Sequence, residues 1–203
     1  IARVIAVRKT VGSEIDILVD ANTNYTLQDI RKVMPSFDEA GVSWLEEPFP
    51  PQDRKAYGLA RTLGRVPFAA GENHYTRYEF ATLLDDGDVQ FIQPDLSKAG
   101  GVTESLRIAA MASAYKLTIN PHTSATAINM GNTIHFLSAI DNPGYFEGDV
   151  TSLNPFRDEM MDKPAYQLDK DGCVSPYEGI GIGMKINLDF VKAHPLIDGP
   201  CYV

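Results

Sequence analysis

Residues 89–101 read Val-Gln-Phe-Ile-Gln-Pro-Asp-Leu-Ser-Lys-Ala-Gly-Gly. The stretch begins with a run of β-branched and aromatic residues, which is typical of a short buried strand. The run ends at Pro94 and Asp95, and the Gly100-Gly101 pair indicates a turn. From Thr103 to Tyr115 apolar residues then recur at helical spacing. The stretch therefore predicts one strand, one polar loop and one helix.

The same unit repeats along the first 150 residues. Short strand-like runs that end in an acidic residue or a histidine lie at 15–20, 43–46, 68–72, 89–95, 117–122 and 145–147. The helices predicted between and after them are Leu27 to Ala40, Arg54 to Leu63, Arg77 to Leu84, Thr103 to Tyr115 and Ala127 to Ile140. The polar ends of the six runs are 26, 26, 23, 27 and 25 residues apart. A period near 25 residues, with one strand and one helix per unit, is typical of a parallel β/α array.

Two parallel architectures share this period. An open doubly wound sheet is one, but six polar strand ends on one rim favour a closed (β/α)8 barrel, a TIM-like α/β fold whose active sites lie at the C-terminal ends of the strands. Such a barrel has eight units and about 250 residues, whereas six units are visible and the chain begins at Ile1. We therefore expect N-terminal strands to be missing from this sequence. We assign residues 1–150 to the barrel and 151–203 to a C-terminal extension.

The pattern changes after Glu147. Residues 154–157 predict a loop, and residues 166–174 predict a hairpin with an Asp-Gly turn. The segment 179–183, Gly-Ile-Gly-Ile-Gly, has the glycines of a dinucleotide-binding loop. It follows no buried strand and opens no evident helix, so we interpret it as a glycine turn.

The composition of the chain limits the binding partners and the cellular compartment that we expect for it. The chain has 203 residues, 44% of them hydrophobic, with a net charge of −9, so we expect neither a nucleic-acid nor an anionic-membrane partner. No apolar run approaches the roughly 18 residues of a membrane span. The two cysteines, Cys173 and Cys201, lack zinc-site spacing, and no signal peptide is evident. We expect a reducing compartment, the cytoplasm.

Three carboxylates end three consecutive predicted strands, at Asp20, Glu46 and Glu72. Neighbouring strands of a parallel sheet lie about 4.8 Å apart, so the three groups can share one cation. A set of oxygen ligands without thiolate or histidine favours Mg²⁺ over Zn²⁺. Glu46 and Glu47 are adjacent, and strand alternation lets only one of them face the barrel axis. The 26-residue register selects Glu46. Solvated strand-end acids are the alternative, but three crowded carboxylates without a cation would repel each other.

Asp95 and His122 end the next two predicted strands. A carboxylate beside a histidine fixes the imidazole tautomer and raises its basicity, as a general base near neutral pH requires. A cation beside such a dyad fits removal of a proton α to a carboxylate, because the resulting enediolate needs electrostatic stabilisation.

Other polar residues are candidates for substrate contact. The loop residues Asn22, Asn73 and His74 suit a hydroxyl-rich substrate, and Lys98 follows Asp95 by three residues. Glu147 ends the sixth run and could act as an acid opposite the histidine. For His74, Lys98 and Glu147 an ordinary loop or surface role remains open.

The chain resembles the barrel portion of the enolase superfamily and, within it, the mandelate racemase subgroup. The strings that carry the resemblance run in order over residues 1–150: Val19-Asp20-Ala21-Asn22, Trp44-Leu45-Glu46-Glu47-Pro48, Gly71-Glu72-Asn73, the stretch 93–101, and Pro121-His122. The tail at 179–187 is also similar. The muconate lactonising subgroup carries a lysine where this chain has Asp95, and enolase would call for a lysine base and phosphate contacts that are not evident here.

The resemblance implies a modified (β/α)7β barrel and assigns roles to the candidates. Asp20, Glu46 and Glu72 would bind Mg²⁺, Asp95 and His122 would form the general-base dyad, and Glu147 would hydrogen-bond the substrate carboxylate. The family's second base, a Lys-x-Lys pair, and its α+β capping domain, to which residues 151–203 would return, would lie upstream of Ile1. The capping domain contributes much of the substrate specificity.

The resemblance further implies a magnesium-dependent lyase that dehydrates a sugar acid, a small carboxylate substrate and a homo-oligomer. In that reaction His122 removes the α-proton or protonates the leaving hydroxyl. Racemisation or epimerisation, and cycloisomerisation of a sugar lactone, use the same machinery and stay open. An alternative of another class is a non-catalytic barrel or an incomplete fragment.

Overall fold

The computed structural model describes residues 1–124 and 126–198. Cys201 and the last residues of the predicted C-terminal extension therefore lie outside the described residues. The chain divides into two compact units: Ile1–His122 with Ile140–Tyr145, and Thr123–Ala139 with the residues from Phe146 onward. In the part of the chain that is described, no helix has the length and apolar character needed to cross a membrane.

The first unit alternates strands and helices. Its elements are α1 (Ala2–Val11), β1 (Ile17–Asp20), α2 (Leu27–Glu39), β2 (Val42–Glu46), α3 (Arg54–Ala60), β3 (Phe68–Ala70), α4 (Thr76–Asp86), β4 (Phe91–Ile92), α5 (Gly101–Ala114) and β5 (Thr118–Ile119). The five strands are parallel and lie in the order β1-β2-β3-β4-β5. The predicted parallel β/α array is confirmed for these units.

The local sequence explains how the elements form, and α2 is the clearest case. Thr26 caps the helix: its side chain accepts from the Asp29 amide while the Asp29 carboxylate accepts from the Thr26 amide, so two free backbone donors are satisfied. The buried residues of α2 recur at helical spacing, at Ile30, Val33, Met34 and Phe37. They pack toward the sheet, where Leu45, Phe68, Ile92 and Ile119 are also buried.

The strands β1, β3, β4 and β5 are shorter than predicted, whereas β2 begins one residue earlier than predicted. β3, β4 and β5 end at Ala70, Ile92 and Ile119, so Glu72, Asp95 and His122 lie in the loops that follow rather than on the strands. Proline directly precedes Asp95 and His122 and has no N–H for a ladder. Before Glu72, Gly71 takes a φ of +152°, which breaks the extended run.

The predicted sixth strand at Tyr145–Glu147 is wrong, because no strand is present at these described residues. An isolated bridge pairs Ile119 with Pro143 instead. The Tyr145 amide donates to the Asn120 side-chain carbonyl at 2.8 Å. A side chain therefore takes the place of the backbone partner that would have continued the ladder.

The second unit contains α6 (Ala127–Leu137), α7 (Pro155–Asp158) and α8 (Leu188–Ala193). Its core consists of Ala127, Met130, Met161, Ala165 and Met184. The predicted loop at 154–157 is in fact the start of α7. The Asn154 side chain caps this short helix and Pro155 occupies its first turn, both of which favour a helix start.

The predicted hairpin at 166–174 is also wrong, since only its turn is present. The Asp169 carboxylate accepts from the amides of Asp171 and Cys173, so those donors are not available for a strand ladder. The turn at 179–183 is confirmed, with the Gly183 amide donating to the Ile180 carbonyl.

Candidate active site

Asp20 and Glu46 are neighbours across the parallel pair β1 and β2. Trp44 lies two residues before Glu46, and its indole Nε1 donates to the Glu46 carboxylate at 3.3 Å. Asn22 folds back on Asp20: its backbone amide donates at 2.7 Å, and its side-chain amide donates to the other oxygen. Burial raises the pKa of Asp20, the Asn22 hydrogen bonds oppose this, and the nearby negative charge of Glu72 adds to it.

Glu72 is the centre of the contacts in this region. Its Oε2 lies 3.0 Å from His122 Nε2, and its Oε1 lies 3.7 Å from Lys98 Nζ. The Asn73 side-chain amide also donates to Oε1 at 3.1 Å. The hydrogen bond from His122 is the largest cause that lowers the pKa of Glu72. The carboxylate therefore stays ionised despite its partial burial.

The structure brings Asp95 and His122 together, with His122 Nδ1 2.7 Å from Asp95 Oδ2. The Asp95 side chain is 1% exposed, and its Oδ1 accepts from the Ser97 amide at 2.7 Å and the Ser97 hydroxyl at 2.5 Å. Burial alone would raise the pKa of Asp95, but the hydrogen bonds from His122 and Ser97 outweigh it and leave the pKa lowered. The imidazole lies between two carboxylates, and it can donate to both only when it is protonated.

Glu47 joins this group, which the alternation argument did not predict. Its φ of +33° takes it out of the extended strand, so the rule that successive side chains face opposite sides no longer applies. Its Oε2 accepts from the Asn73 amide at 2.7 Å, and its buried Oε1 has no hydrogen-bond partner among the described residues. Burial raises the pKa of Glu47, and the charges of Glu72 and Asp20 raise it further. The sequence feature that could have indicated a role for Glu47 was the pair of adjacent acids, Glu46 and Glu47, directly before Pro48.

Whether these side chains suit a divalent cation depends on their donors and present partners. As they stand, no three His, Cys, Asp or Glu side chains of the described chain are arranged to hold a metal ion; Glu72 is engaged with His122 and Lys98. The donors of Asp20, Glu46 and Glu72 nevertheless fit Mg²⁺, because they are all carboxylate oxygens; Glu47 beside them adds a buried oxygen with no hydrogen-bond partner among the described residues. Asp20, Glu46 and Glu72 are the residues that would hold it.

The predicted substrate contacts separate into two groups. Asn22, Asn73 and Lys98 lie against the carboxylates as described above. His74 is 7% exposed, packs on the Phe80 ring at 5.7 Å, and lines a cavity of about 440 Å³ beside α3 and α4. Burial lowers the pKa of His74, which favours the neutral imidazole.

Glu147 lies in the second unit. Its carboxylate accepts from the Thr123 amide at 2.8 Å, and its backbone carbonyl accepts from the Thr123 hydroxyl. Both contacts lie within that unit. A catalytic role for Glu147 stays a prediction.

Comparison with known proteins gives a consistent family. A family model described as enolase C-terminal domain-like matches residues 1–190. A D-galactarolactone cycloisomerase from Agrobacterium fabrum is 32% identical over 91% of this chain and 50% of its own length. A D-xylonate dehydratase from Haloferax volcanii is 29% identical over 96% of this chain and 46% of its own. The chain thus spans about half the length of these curated relatives.

Solved structures that resemble this chain include members of the same superfamily. An enolase superfamily member from Polaromonas sp. JS666 is 51% identical with a TM-score of 0.94, covering 100% of this chain and 53% of that one. A racemase from Streptomyces coelicolor A3(2), solved with bound magnesium, is 26% identical with a TM-score of 0.83, covering 95% of this chain and 50% of that one.

Proposed function

The chain belongs to the enolase C-terminal domain-like family, and we propose that it carries the acid-base machinery of an enzyme that removes the proton α to the carboxylate of a sugar acid. The observation that carries this proposal is the contact between Asp95 and His122 at 2.7 Å. An ionised carboxylate behind an imidazole stabilises the imidazolium that forms when the ring takes a proton.

The chain's own residues account for the proton transfer. His122 Nε2 takes the α-proton, and Asp95 holds the ring through Nδ1. For dehydration, the C–O bond at the β-carbon then breaks, and the departing hydroxide takes the proton that His122 has gained and leaves as water. Mg²⁺ bound by Asp20, Glu46 and Glu72 would supply positive charge that stabilises the negative charge developing on the substrate carboxylate.

Dehydration of a sugar acid is the reaction we favour. A relative named D-xylonate dehydratase supports it, and Asn22, Asn73 and Lys98 offer polar contacts for a hydroxyl-rich carboxylate. We further propose that the five parallel strands belong to a (β/α)8 barrel. Its substrate would be a small molecule rather than a nucleic acid or a membrane.

A second candidate reaction is cycloisomerisation of a sugar lactone. The relative at 32% identity is named D-galactarolactone cycloisomerase, and a histidine-carboxylate dyad also serves that proton transfer. Racemisation would need an additional acid or base on the opposite face of the substrate carbon.

Proton NMR in D₂O with Mg²⁺, across sugar acids and their lactones, tests the proposal. We expect α-deuteration, loss of water or lactone conversion for at least one compound, sensitive to EDTA. His122→Asn should lower the rate by roughly 10²–10⁴-fold, the usual contribution of a general base. The control His194→Asn changes a histidine whose Nδ1 lies 2.8 Å from the Phe190 carbonyl oxygen and whose ring packs against the Phe156 and Phe190 rings. Unchanged turnover by His122→Asn would remove the dyad from the mechanism, and inactivity of the wild type across the panel would favour a non-catalytic domain.

A further inference from the structure

We propose that Lys98 is an internal competitor for the divalent cation. Its ammonium group pairs with Glu72 when no metal is bound and thereby weakens the binding of Mg²⁺. This inference rests on the proposed function, because it takes Glu72 as a metal ligand. It gives Lys98 a role distinct from the substrate contact that the sequence predicted.

Both oxygens of Glu72 are already occupied by groups that carry or can carry positive charge. Lys98 Nζ lies 3.7 Å from Oε1, and His122 Nε2 lies 3.0 Å from Oε2. A divalent cation that binds Glu72 must take the carboxylate from these partners. It must also approach a lysine ammonium of like charge.

The two partners of Glu72 are held differently. His122 is fixed on its other side by Asp95 at 2.7 Å, so its ring cannot swing away. Lys98 has no such second anchor among the described residues: its ion pair is longer than a hydrogen bond, and its side chain is 28% exposed. A flexible, hydrated ammonium can withdraw toward solvent. Lys98 therefore lowers cation affinity without blocking the site.

The negative charges around Glu72 explain what the contact between Lys98 and Glu72 contributes. Asp20 and Glu47 both repel Glu72 and have raised pKa values, in each case with burial as the main cause and the charge of Glu72 as a further one. A lysine beside Glu72 offsets part of that repulsion while no cation is bound. Removing the lysine makes the empty cluster more negative, so a cation should bind more tightly.

The loop that carries Lys98 does not depend on its side chain. The Lys98 amide donates to the Asp95 carbonyl at 3.0 Å, and the Thr76 amide donates to the Ala99 carbonyl at 3.2 Å. Lys98→Met keeps these backbone bonds and nearly the same side-chain length while removing the charge. Lys98→Arg keeps the charge.

Isothermal titration of the substrate-free full chain with MgCl₂, at fixed ionic strength, tests the inference. We expect Lys98→Met to bind Mg²⁺ roughly two- to fivefold more tightly than the wild type, the size of a partly exposed ion-pair effect. Lys98→Arg should restore wild-type affinity. Lys55→Met, which removes the same charge from an exposed position on α3, should bind as the wild type does. Lys98→Gln is a second neutral variant with the same expectation.

The outcomes separate this inference from the proposed function. If the neutral Lys98 variants bind Mg²⁺ equally or more weakly, Lys98 positions Glu72 rather than competing for it, and the inference fails while the metal site stands. If the wild type binds no Mg²⁺ at all, both the inference and the magnesium-dependent function fail. Thermal unfolding in EDTA verifies that each variant is folded.

Discussion

At the scale of single residues, Ser97 holds the oxygen of Asp95 that His122 does not use. Its amide and hydroxyl both donate to Oδ1, at 2.7 and 2.5 Å, whereas His122 binds Oδ2. Asp95 therefore has one oxygen held by its own loop and the other in contact with the imidazole, which it orients. Ser97 is a positioning residue for the dyad.

Ser97→Ala should reduce stability in a pH-dependent way. The substitution removes the hydrogen bond from the Ser97 hydroxyl and keeps the one from the amide. The hydroxyl bond helps to keep the pKa of Asp95 below its ordinary value. Its stabilising effect is therefore present above the unfolded-state pKa of aspartate and is lost as pH falls through the lower folded-state pKa. A hydrogen bond to a charged group contributes about 1.5–3 kcal/mol, and we expect the low end because Ser97 is exposed. Urea unfolding at a series of pH values measures the difference.

The control for this prediction is Ser13→Ala, which removes an exposed serine-to-carboxylate bond to Glu14. It should leave stability nearly unchanged at every pH. A Ser97→Ala deficit that stayed constant down to strong acid would mean that the hydroxyl acts through packing rather than through the Asp95 charge.

Sequence patterns pointed to the residues that chemistry requires but not to the contacts between side chains. Asp95 and His122 were predictable as a pair because each follows a strand-like run and is directly preceded by a proline. The contact of His122 with Glu72 was not, because it depends on side-chain rotamers. Glu47 was excluded by strand alternation, which fails where the backbone leaves the strand. The metal-ligand roles of Asp20, Glu46 and Glu72 stay predictions.

At the scale of elements, the end of β3 sets the position of Glu72. Gly71 has a φ of +152°, and a Cβ built on it would lie 2.6 Å from the backbone carbon of Gln93. No side chain fits at that distance. The absence of a side chain lets β3 approach the segment after β4, and the chain then turns so that Glu72 meets His122.

Gly71→Ala should therefore be strongly destabilising. Unfavourable φ values alone cost about 1–3 kcal/mol, and the backbone clash adds to this because the Gln93 amide donates to the Ala70 carbonyl at 3.0 Å, which holds the two segments together. Gly87→Ala is the matched control: Gly87 also has a positive φ, +68°, but a Cβ there meets nothing within 4 Å. Chemical denaturation should show a larger loss for Gly71→Ala, and equal losses would mean that the strand approach can relax.

Helices were better predicted than strands, and the reason is physical. The apolar spacing predicted α2 as Leu27 to Ala40, within one residue of its observed end at Glu39, because that pattern lies within the helix itself. A strand ends where its backbone hydrogen bonds to the neighbouring strand end, and the length of the apolar run in the sequence does not indicate that position. The prediction of a sixth strand was wrong for this reason: pairing with β5 is limited to the isolated bridge between Ile119 and Pro143, and the Tyr145 amide then donates to the Asn120 side chain.

At the scale of the whole molecule, charge repulsion links metal binding to stability. The chain carries a net charge of −9, and the candidate ligands Asp20, Glu46 and Glu72 all lie in the first unit. Unfolding disperses these carboxylates and relieves their mutual repulsion, so a bound cation that neutralises this repulsion in the folded state would stabilise the native state. A ligand that binds only the folded state stabilises it by mass action.

Mg²⁺ at a hundredfold excess over its dissociation constant should stabilise the fold by about 2.7 kcal/mol. For a chain of this size that corresponds to a rise in melting temperature of roughly 5–10 °C, seen in the transition of the first unit. EDTA should reverse the rise, and NaCl at matched ionic strength should not reproduce it, because screening alone acts on all exposed charges equally. Asp20→Asn, which removes one candidate ligand, should reduce the shift. If NaCl gave the same rise as MgCl₂, the cation would be acting on the overall charge, and the carboxylates around Glu72 would not form a specific site.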